Sequence, residues 1–554
     1  MTRTINTVNE YSEYAAGEFL QTVVFVDDRI YESRTRSIAD VGKVVSPRSR
    51  KKAVRSLPQK ERIAAEAVAE TERDEFSPYE IVTSFAKKQI VCSLYQPSER
   101  AKVSTGSDVF PLCRAADIAI VDWDLYGDSG QRTLELISGL IQQAVNDVPE
   151  QLRLILVYTQ ETNLFEIANR LYQKVNTALG DVLEPVQEEG GLAFRTANSR
   201  VSILGKAGRP RPNVDAGHIV EEKDLANAAV REFAKLADGI LHAAALLGLA
   251  EIKKNSRRIL SKFNRKLDPA FLTHIAMTLP EDDASNQVAP LLVSEIESVL
   301  QDALPSPLVS DAVKRDWCRN VWQPGEHLDA IFNQDDLDKR ALAEAICVTG
   351  FEKAKSQFNG IPKLSSKRNT RKAARILLGS EVDDGNHRFG RLLASRTFYG
   401  DAASNSRQLK LGTIVFRRRA EKYLLCVQPV CDSVRLDSAT NFLFVELIVV
   451  DDDSKNQPTH IVESETGDLV ELIYKPKSVF CSSATFDPVS KTRTVQSKLY
   501  PDKKWGYSDV SGRRYNWIDE LKISHAQRAV ERLASDLSRV GLTESEWLRR
   551  LSGS

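Results

Sequence analysis

The sequence contains the stretch Asp117-Ile118-Ala119-Ile120-Val121-Asp122-Trp123-Asp124, which continues as Leu125-Tyr126-Gly127-Asp128-Ser129-Gly130. An apolar, β-branched run that ends in an acid and a Gly/Asp/Ser turn is typical of a buried parallel strand that reaches the open edge of a sheet. Ligands of open α/β sheets bind beyond the carboxyl ends of the strands, so Asp122 is a candidate site residue. An aspartate that caps a helix or stabilises a turn would explain the same pattern.

Polar side chains follow three further apolar runs in the same way. Residues 21–26 are followed by Asp27 and Asp28, residues 152–158 by Thr159, and residues 201–205 by Lys206. Residues 90–95 form a fifth apolar run, and segments with helical spacing of apolar residues separate the runs, among them one long helix at 221–249. This alternation predicts an α/β domain with an N-terminal doubly wound, five-stranded parallel sheet.

The residues at the predicted strand ends form a chemically coherent set. The adjacent carboxylates of Asp27 and Asp28 repel each other unless a cation lies between them, and hard oxygen ligands of this kind suit Mg²⁺. With Asp122 as a third acid they form a candidate metal site. The hydroxyl of Thr159 and the ammonium of Lys206 can donate hydrogen bonds to phosphoryl oxygens. Solvent-exposed acids without a metal are the alternative.

In this arrangement the chain resembles the receiver domain of two-component response regulators, over about residues 18–248. The resemblance implies a flavodoxin-like fold in which Asp122 is the phosphoacceptor and Thr159 the switch hydroxyl. Lys206 corresponds to the family's invariant lysine, and Asp27 and Asp28 to its acidic pair. It also implies Mg²⁺ as the cofactor and a sensor histidine kinase as the phosphodonor.

The sequence departs from the family pattern at four positions. Tyr126 and Ala207 stand where the family usually has proline, and Ile203 stands where an aromatic switch residue is common. These differences put the usual relay from the hydroxyl to an aromatic residue in doubt. Gln160 follows the hydroxyl in place of a small residue, and we hypothesise that it orients water for hydrolysis of the phosphoryl group.

The rest of the 554 residues predicts further domains. Helical spacing continues beyond the first domain, and a period of two from residue 411 predicts a small antiparallel β domain, including a strand at 478–480, before a final helix at 526–551. The predicted organisation is a receiver domain at 1–248 with an insertion at 31–76, a helical region at 249–400, a β-rich domain at 401–520 and a C-terminal helix at 521–554.

Charge and cysteine content restrict the classes of function. Lys plus Arg and Asp plus Glu are equal at 76 each, so no global field favours nucleic acid, although residues 48–55 and 363–375 are basic. Seven cysteines without a close CxxC pair predict reduced thiols. No signal peptide or membrane-spanning run is recognisable, so we expect a cytoplasmic protein.

No helix-turn-helix, kinase, cyclase or nuclease signature is present in the second half. A receiver with a long non-catalytic region resembles receiver proteins of bacterial anti-phage two-component systems, especially the effector-less component of the Detocs type. The sequence thus predicts a non-enzymatic phosphate sink or signalling partner, with a second receiver-effector protein and a homodimer as further candidate partners. A receiver-gated hydrolase or nuclease in the β-rich domain is one alternative, and a nucleic-acid-binding regulator is another.

Overall fold

A computed structural model describes the chain in two compact units, Met1–Trp317 and Cys318–Ser554. The described residues are 5–31, 77–99, 107–147, 151–278, 288–305, 308–325, 338–358, 377, 382–398, 406–450, 458–538 and 551. Nearly all of the predicted insertion at 31–76 and both basic segments, 48–55 and 363–375, lie outside them. The domain limits drawn from sequence periodicity stay predictions.

The first unit is built on a mainly parallel sheet. Its strands are β1 Thr22–Val26, β2 Val91–Tyr95, β3 Ile118–Val121, β4 Arg153–Thr159, β5 Val186–Glu188, β6 Ala193–Arg195, β7 Ser199–Lys206 and β8 Ile219–Val220. The order is β2-β1-β3-β4-β7-β6-β5, and β8 pairs with β7. Strands β2, β1, β3, β4 and β7 are parallel, which confirms the predicted five-stranded core. The sheet is wider than predicted because β5, β6 and β8 extend it.

Helices cover both faces of this sheet. The described α-helices of the first unit are α1 Val8–Phe19, α2 Pro78–Lys87, α3 Val109–Ala115, α4 Gln131–Asp147, α5 Leu164–Leu183, α6 Leu225–Leu236, α7 Ile240–Lys262, α8 Asp268–Thr278, α9 Val288–Ala303 and α10 Asp311–Asp316. Helices α1, α2, α6 and α7 contribute to the core on one face. Helices α3, α4 and α5 contribute to the core on the other face.

Strand alternation decides which side chains enter each core. Val23 and Phe25 of β1 belong to the first core, whereas Val24 and Val26 belong to the second. Successive residues of a strand point to opposite faces, so a strand that is buried on both faces needs apolar residues throughout. This explains why the sequence of these strands shows continuous apolar runs rather than a period of two.

The predicted helix at 221–249 is wrong, because the chain forms two helices there. Helix α6 ends at Leu236 and α7 begins at Ile240. Gly239, between them, has φ of +113°, a conformation that residues with a Cβ rarely adopt. The apolar periodicity resumes after the break, which is why the pattern alone did not reveal it.

A buried ion network fixes the β5–β6 hairpin. The Arg200 side chain, 1% exposed, donates to Glu189 at 2.8 Å and to Glu232 of α6 at 3.0 Å. Glu189 also accepts from His218 at 2.8 Å. A buried guanidinium needs such partners, since an unpaired buried charge is costly. The hairpin and α6 are therefore held by the same cation.

The described residues of the second unit form an antiparallel sheet and several α-helices. Its strands are β9 Thr413–Arg417, β10 Lys422–Cys426, β11 Thr440–Val449, β12 His460–Glu463, β13 Leu469–Tyr474, β14 Cys481–Phe486, β15 Lys498–Leu499, β16 Trp505–Ser508 and β17 Arg514–Glu520. The helices are α11 Lys339–Thr349, α12 Phe351–Gln357, α13 Val382–Ala394 and α14 Ile523–Leu537. The predicted antiparallel β region and the final helix are thus confirmed.

Two local predictions in this unit differ from the structure. The strand predicted at 478–480 is wrong: these residues form a 3₁₀ turn, and β14 begins immediately after it. Most of the end of the helix predicted at 526–551 lies outside the described residues. Ala526, Ala529 and Leu533 of α14 belong to one core of the sheet, whereas Leu537 is exposed. In the described parts of the chain, no helix is both long and apolar enough to cross a membrane.

His460 is a buried histidine at the start of β12. Its Nδ1 lies 2.9 Å from the Thr459 hydroxyl, and its ring meets the Tyr474 ring edge to face. Burial, together with the positive charges of His525 and Arg532, lowers the pKa of His460 to about 4. The folded state therefore favours the neutral ring over the imidazolium.

We predict that this histidine makes the second unit sensitive to acid. In the unfolded chain His460 binds a proton near pH 6.5, so stability falls as the pH drops from about 6.5 to about 4. The loss at pH 4.5 relative to pH 7 should be about 2 kcal/mol. Urea unfolding of wild type and His460→Gln at both pH values measures this: the variant should lose less stability by about that amount. Equal losses in the two proteins would contradict the assignment.

Candidate functional site

Three charged side chains meet at the carboxyl edge of the first sheet. Lys206 Nζ lies 2.8 Å from Asp27 Oδ2 and 2.8 Å from Asp122 Oδ1. The three side chains come from the ends of β1, β3 and β7, and all are at most 3% exposed. Two buried carboxylates thus share one buried ammonium, and the structure brings together three of the five residues that the sequence singled out.

Burial and neighbouring charge act on Asp122 in opposite directions. Loss of hydration penalises its carboxylate and raises the pKa of Asp122 to about 6. The ammonium of Lys206 opposes this rise, while the nearby Asp27 adds to it. The Lys206 ammonium, 2.8 Å away, favours the ionised form, so Asp122 is a carboxylate with little surrounding water. Such a group is available as a nucleophile.

The other two predicted residues lie at the same edge with partners of their own. Asp28 is partly exposed, and its Oδ2 accepts a hydrogen bond from the Tyr126 backbone N–H at 2.8 Å. The Thr159 hydroxyl, which is buried, accepts from the Glu161 backbone N–H at 3.2 Å. Asp28 therefore stabilises the loop that follows β3, and Thr159 the loop that follows its own strand, β4.

Departures from the family pattern have structural causes. Tyr126 has φ of +60° and donates its N–H to Asp28, and a proline could do neither. Ala207 donates its N–H to the Val220 carbonyl at 3.2 Å, because β8 lies beside β7. Ile203 is fully buried in the core of the sheet. This chain therefore uses backbone N–H groups where the family commonly has prolines.

The turn after Asp122 is packed around Trp123. This indole is buried, and the Arg170 guanidinium lies 5.0 Å from the ring centroid. Gly130 has φ of +85°, and a Cβ at this position would lie 2.0 Å from Trp123 Cε2. Gly127 has a similar φ of +72°, but nothing lies within 4 Å of a Cβ placed there. Of these two glycines, only Gly130 is required both by its positive φ and by the lack of space for a Cβ.

Arg211 connects two of the strand ends, a role that no sequence pattern indicated. Its guanidinium donates to the carbonyls of Lys206 at 2.6 Å, Glu161 at 2.9 Å and Thr159 at 3.2 Å. A Cβ on Gly205 would lie 2.8 Å from Arg211 Cζ, so the guanidinium packs directly on this glycine. Arg211 therefore fixes the ends of β4 and β7 relative to each other.

A second arginine lies beside the acids and was also missed. Arg29 Nε is 3.6 Å from Asp27 Oδ1, and Arg29 Nη2 is 3.9 Å from Asp122 Oδ1. Arg29 Nη1 donates to Gln160 Oε1 at 3.3 Å. A basic residue directly after the acidic pair was the available signal, but strand spacing alone does not place a loop side chain.

The donor chemistry of the edge fits a divalent cation. Asp27, Asp28 and Asp122 offer hard carboxylate oxygens from the ends of two neighbouring strands. Within the described residues, however, no three acidic, histidine or cysteine side chains form a ready-made metal cluster. The chain's own cations, Lys206 and Arg29, contact the two most buried carboxylates instead.

Comparison with known proteins gives one result. Residues 19–211 match the family model described as a response receiver domain. No curated protein and no solved structure matches the chain. The matched segment includes all five predicted site residues: Asp27, Asp28, Asp122, Thr159 and Lys206. The resemblance to a receiver is confirmed for this segment.

We predict that Gly130→Ala destabilises the first unit far more than Gly127→Ala. Both changes place a Cβ on a residue with positive φ, which costs about 1 kcal/mol. Only the first also drives a methyl group into the Trp123 ring, and we expect a total loss of about 3 kcal/mol or more for it. Urea unfolding followed by circular dichroism measures both losses. Equal losses would show that Trp123 moves aside at little cost.

We also predict that the Arg211 guanidinium stabilises the site loops. Arg211→Met leaves three carbonyls without their charged donor, two of them in buried residues, which should lower the free energy of unfolding by about 2–3 kcal/mol. Arg209→Met is the matched control, because Arg209 is exposed and removes the same charge two residues away. Chemical denaturation of both variants tests this. If the two variants are equally stable, the contacts of Arg211 contribute nothing beyond its charge.

Proposed function

We propose that this chain, which carries a response receiver domain at residues 19–211, accepts a phosphoryl group from a histidine kinase on the Asp122 carboxylate. The observation that supports this most directly is the position of Lys206, 2.8 Å from the carboxylates of both Asp27 and Asp122. In this proposal Asp122 attacks phosphorus and Asp27 lies beside it. The Lys206 ammonium between them is suited to stabilise the negative charge of the incoming phosphoryl group.

The proposed reaction is an in-line displacement. A carboxylate oxygen of Asp122 forms a bond to phosphorus while the bond from phosphorus to the donor nitrogen breaks, and the electron pair of that bond stays on the imidazole. Lys206 neutralises charge on the transferred group, and burial of Asp122 limits competing water. When bound at Asp27, Asp28 and Asp122, Mg²⁺ would supply further positive charge for the same purpose.

Thr159 is the proposed responder to phosphorylation. Its hydroxyl accepts a hydrogen bond from Glu161 and can rotate to donate to a phosphoryl oxygen. This rotation would change the loop that also holds Gln160 and the carbonyl bound by Arg211. A local charge change at Asp122 would thereby alter the surface beyond β4.

We further propose that the protein is a phosphate sink or signalling partner in bacterial anti-phage defence. This step rests on the resemblance of the chain as a whole to effector-less receivers of that kind. It also rests on the lack of a recognised catalytic motif in the second half. On this proposal the protein catalyses nothing beyond its own phosphorylation and dephosphorylation, and its partners are a sensor kinase and a second receiver-effector protein.

The test is intact mass after incubation with Mg²⁺ and acetyl phosphate, or with a phosphorylated histidine kinase. We expect wild type to gain one phosphoryl group and Asp122→Asn to gain none, because an amide is a poor nucleophile. Asp124→Asn is the matched control: this acid lies two residues away, accepts from the Ser129 N–H and should leave the adduct intact. Chelation of Mg²⁺ should reduce the yield.

Two results would contradict the proposal. An adduct that persists in Asp122→Asn would place the phosphoryl group on another residue. If wild type gains no mass from either donor, the protein has the receiver fold but does not accept a phosphoryl group.

A further inference from the structure

The acid site contains a second cation, Arg29, whose role the family resemblance does not assign. Its guanidinium lies within 4 Å of both Asp27 and Asp122 and donates to Gln160. Three strand ends, those of β1, β3 and β4, therefore contribute groups around one side chain. The Arg29 backbone N–H also donates to Asp27 at 2.9 Å, which fixes the start of this loop on the acid it neutralises.

The charges of this cluster balance. Asp27 and Asp122 contribute two negative charges, and Lys206 and Arg29 contribute two positive charges. Burial of two carboxylates so close together would be strongly unfavourable with only one cation, because like charges at short range oppose ionisation. The chain thus neutralises its own buried acids with two basic side chains.

The two cations differ in how firmly they are held. The Lys206 side chain is 3% exposed and makes both contacts at 2.8 Å, whereas the Arg29 side chain is 29% exposed and lies 3.6–3.9 Å from the acids. A partly exposed guanidinium at these distances gains less from the carboxylates and is more easily hydrated. Arg29 is therefore the cation that can leave the site.

We propose that Arg29 is a resident counter-ion that a divalent cation must displace from Asp27 and Asp122. The inference rests on the proposed function, since it concerns regulation of the same acid site. A divalent cation placed among these carboxylates would meet the guanidinium at a few ångströms, where like charges repel strongly. Arg29 would accordingly weaken metal binding and set the metal concentration at which the site becomes active.

The test measures metal binding directly, by isothermal titration calorimetry of the full chain with MgCl₂. We expect Arg29→Gln to bind Mg²⁺ about tenfold more tightly than wild type, because a unit positive charge next to the acids is gone. Arg29→Lys keeps the charge and should stay within about threefold of wild type. Arg132→Gln is the matched control: Arg132 is 24% exposed and pairs with Asp128, and its loss should leave the affinity unchanged.

Several outcomes would overturn the inference. Binding by Arg29→Gln that is no tighter than wild type, including no binding by either, would show that Arg29 does not compete. An equal gain in Arg132→Gln would indicate a general field effect. If Arg29→Gln does not fold, Gln160→Ala removes a contact of Arg29 instead and should tighten binding about twofold. An unchanged affinity in that variant would then overturn the inference.

The result is separable from the proposed function. Metal affinity needs no phosphoryl transfer, and phosphorylation of Asp122 is read from intact mass. A protein whose Arg29 variants shift the Mg²⁺ affinity but whose Asp122 takes no phosphoryl group would contradict only the proposed function. A protein that is phosphorylated on Asp122, with Mg²⁺ affinity unaffected by Arg29, would contradict only this inference.

Discussion

The buried ammonium of Lys206, shared by Asp27 and Asp122, is the interaction on which the first unit's edge depends. Each of the three groups would be costly to bury alone, and the cost falls only when all three are in place. The three side chains come from different strands, so the pairing is formed only when those strands are in register. The ends of the strands, their order in the sheet and the charges of the site therefore depend on one another in this protein.

Strand register explains why these side chains meet. Val26 pairs with Val121, so the next residues along each strand, Asp27 and Asp122, leave the sheet side by side. On the other side of β4, Thr159 pairs with Gly205, and Lys206 follows immediately. A slip of one residue in any of these pairs would turn a charged side chain toward the opposite face. The apolar runs that precede the site residues prevent such a slip, because both faces of every central strand are buried.

Much of this arrangement could be predicted from sequence, and the remainder could not, for physical reasons. Strand ends are visible because apolar runs stop abruptly at Asp27, Asp122 and Lys206, and the alternation with helices predicts that they share one edge. The roles of Arg29 and Arg211 are invisible, since both are loop residues with long side chains whose positions depend on tertiary contacts. The β5–β6 hairpin was missed for a related reason, because its short strands carry too few apolar residues to show a period.

Exposure separates the fixed parts of the site from the parts that can respond. Arg211 is buried and bonded to three backbone carbonyls, so it cannot follow a change of charge without breaking the loops that it joins. Arg29 is nearly one-third exposed, lies 3.6–3.9 Å from the two acids and donates to Gln160. Any additional negative charge on Asp122 acts on both arginines, but only Arg29 can move without unfolding its surroundings. The protein thus places a backbone frame fixed by a buried arginine and one partly exposed cation at the same set of strand ends, an arrangement in which a change of charge at Asp122 would act on one loop while the sheet stays intact.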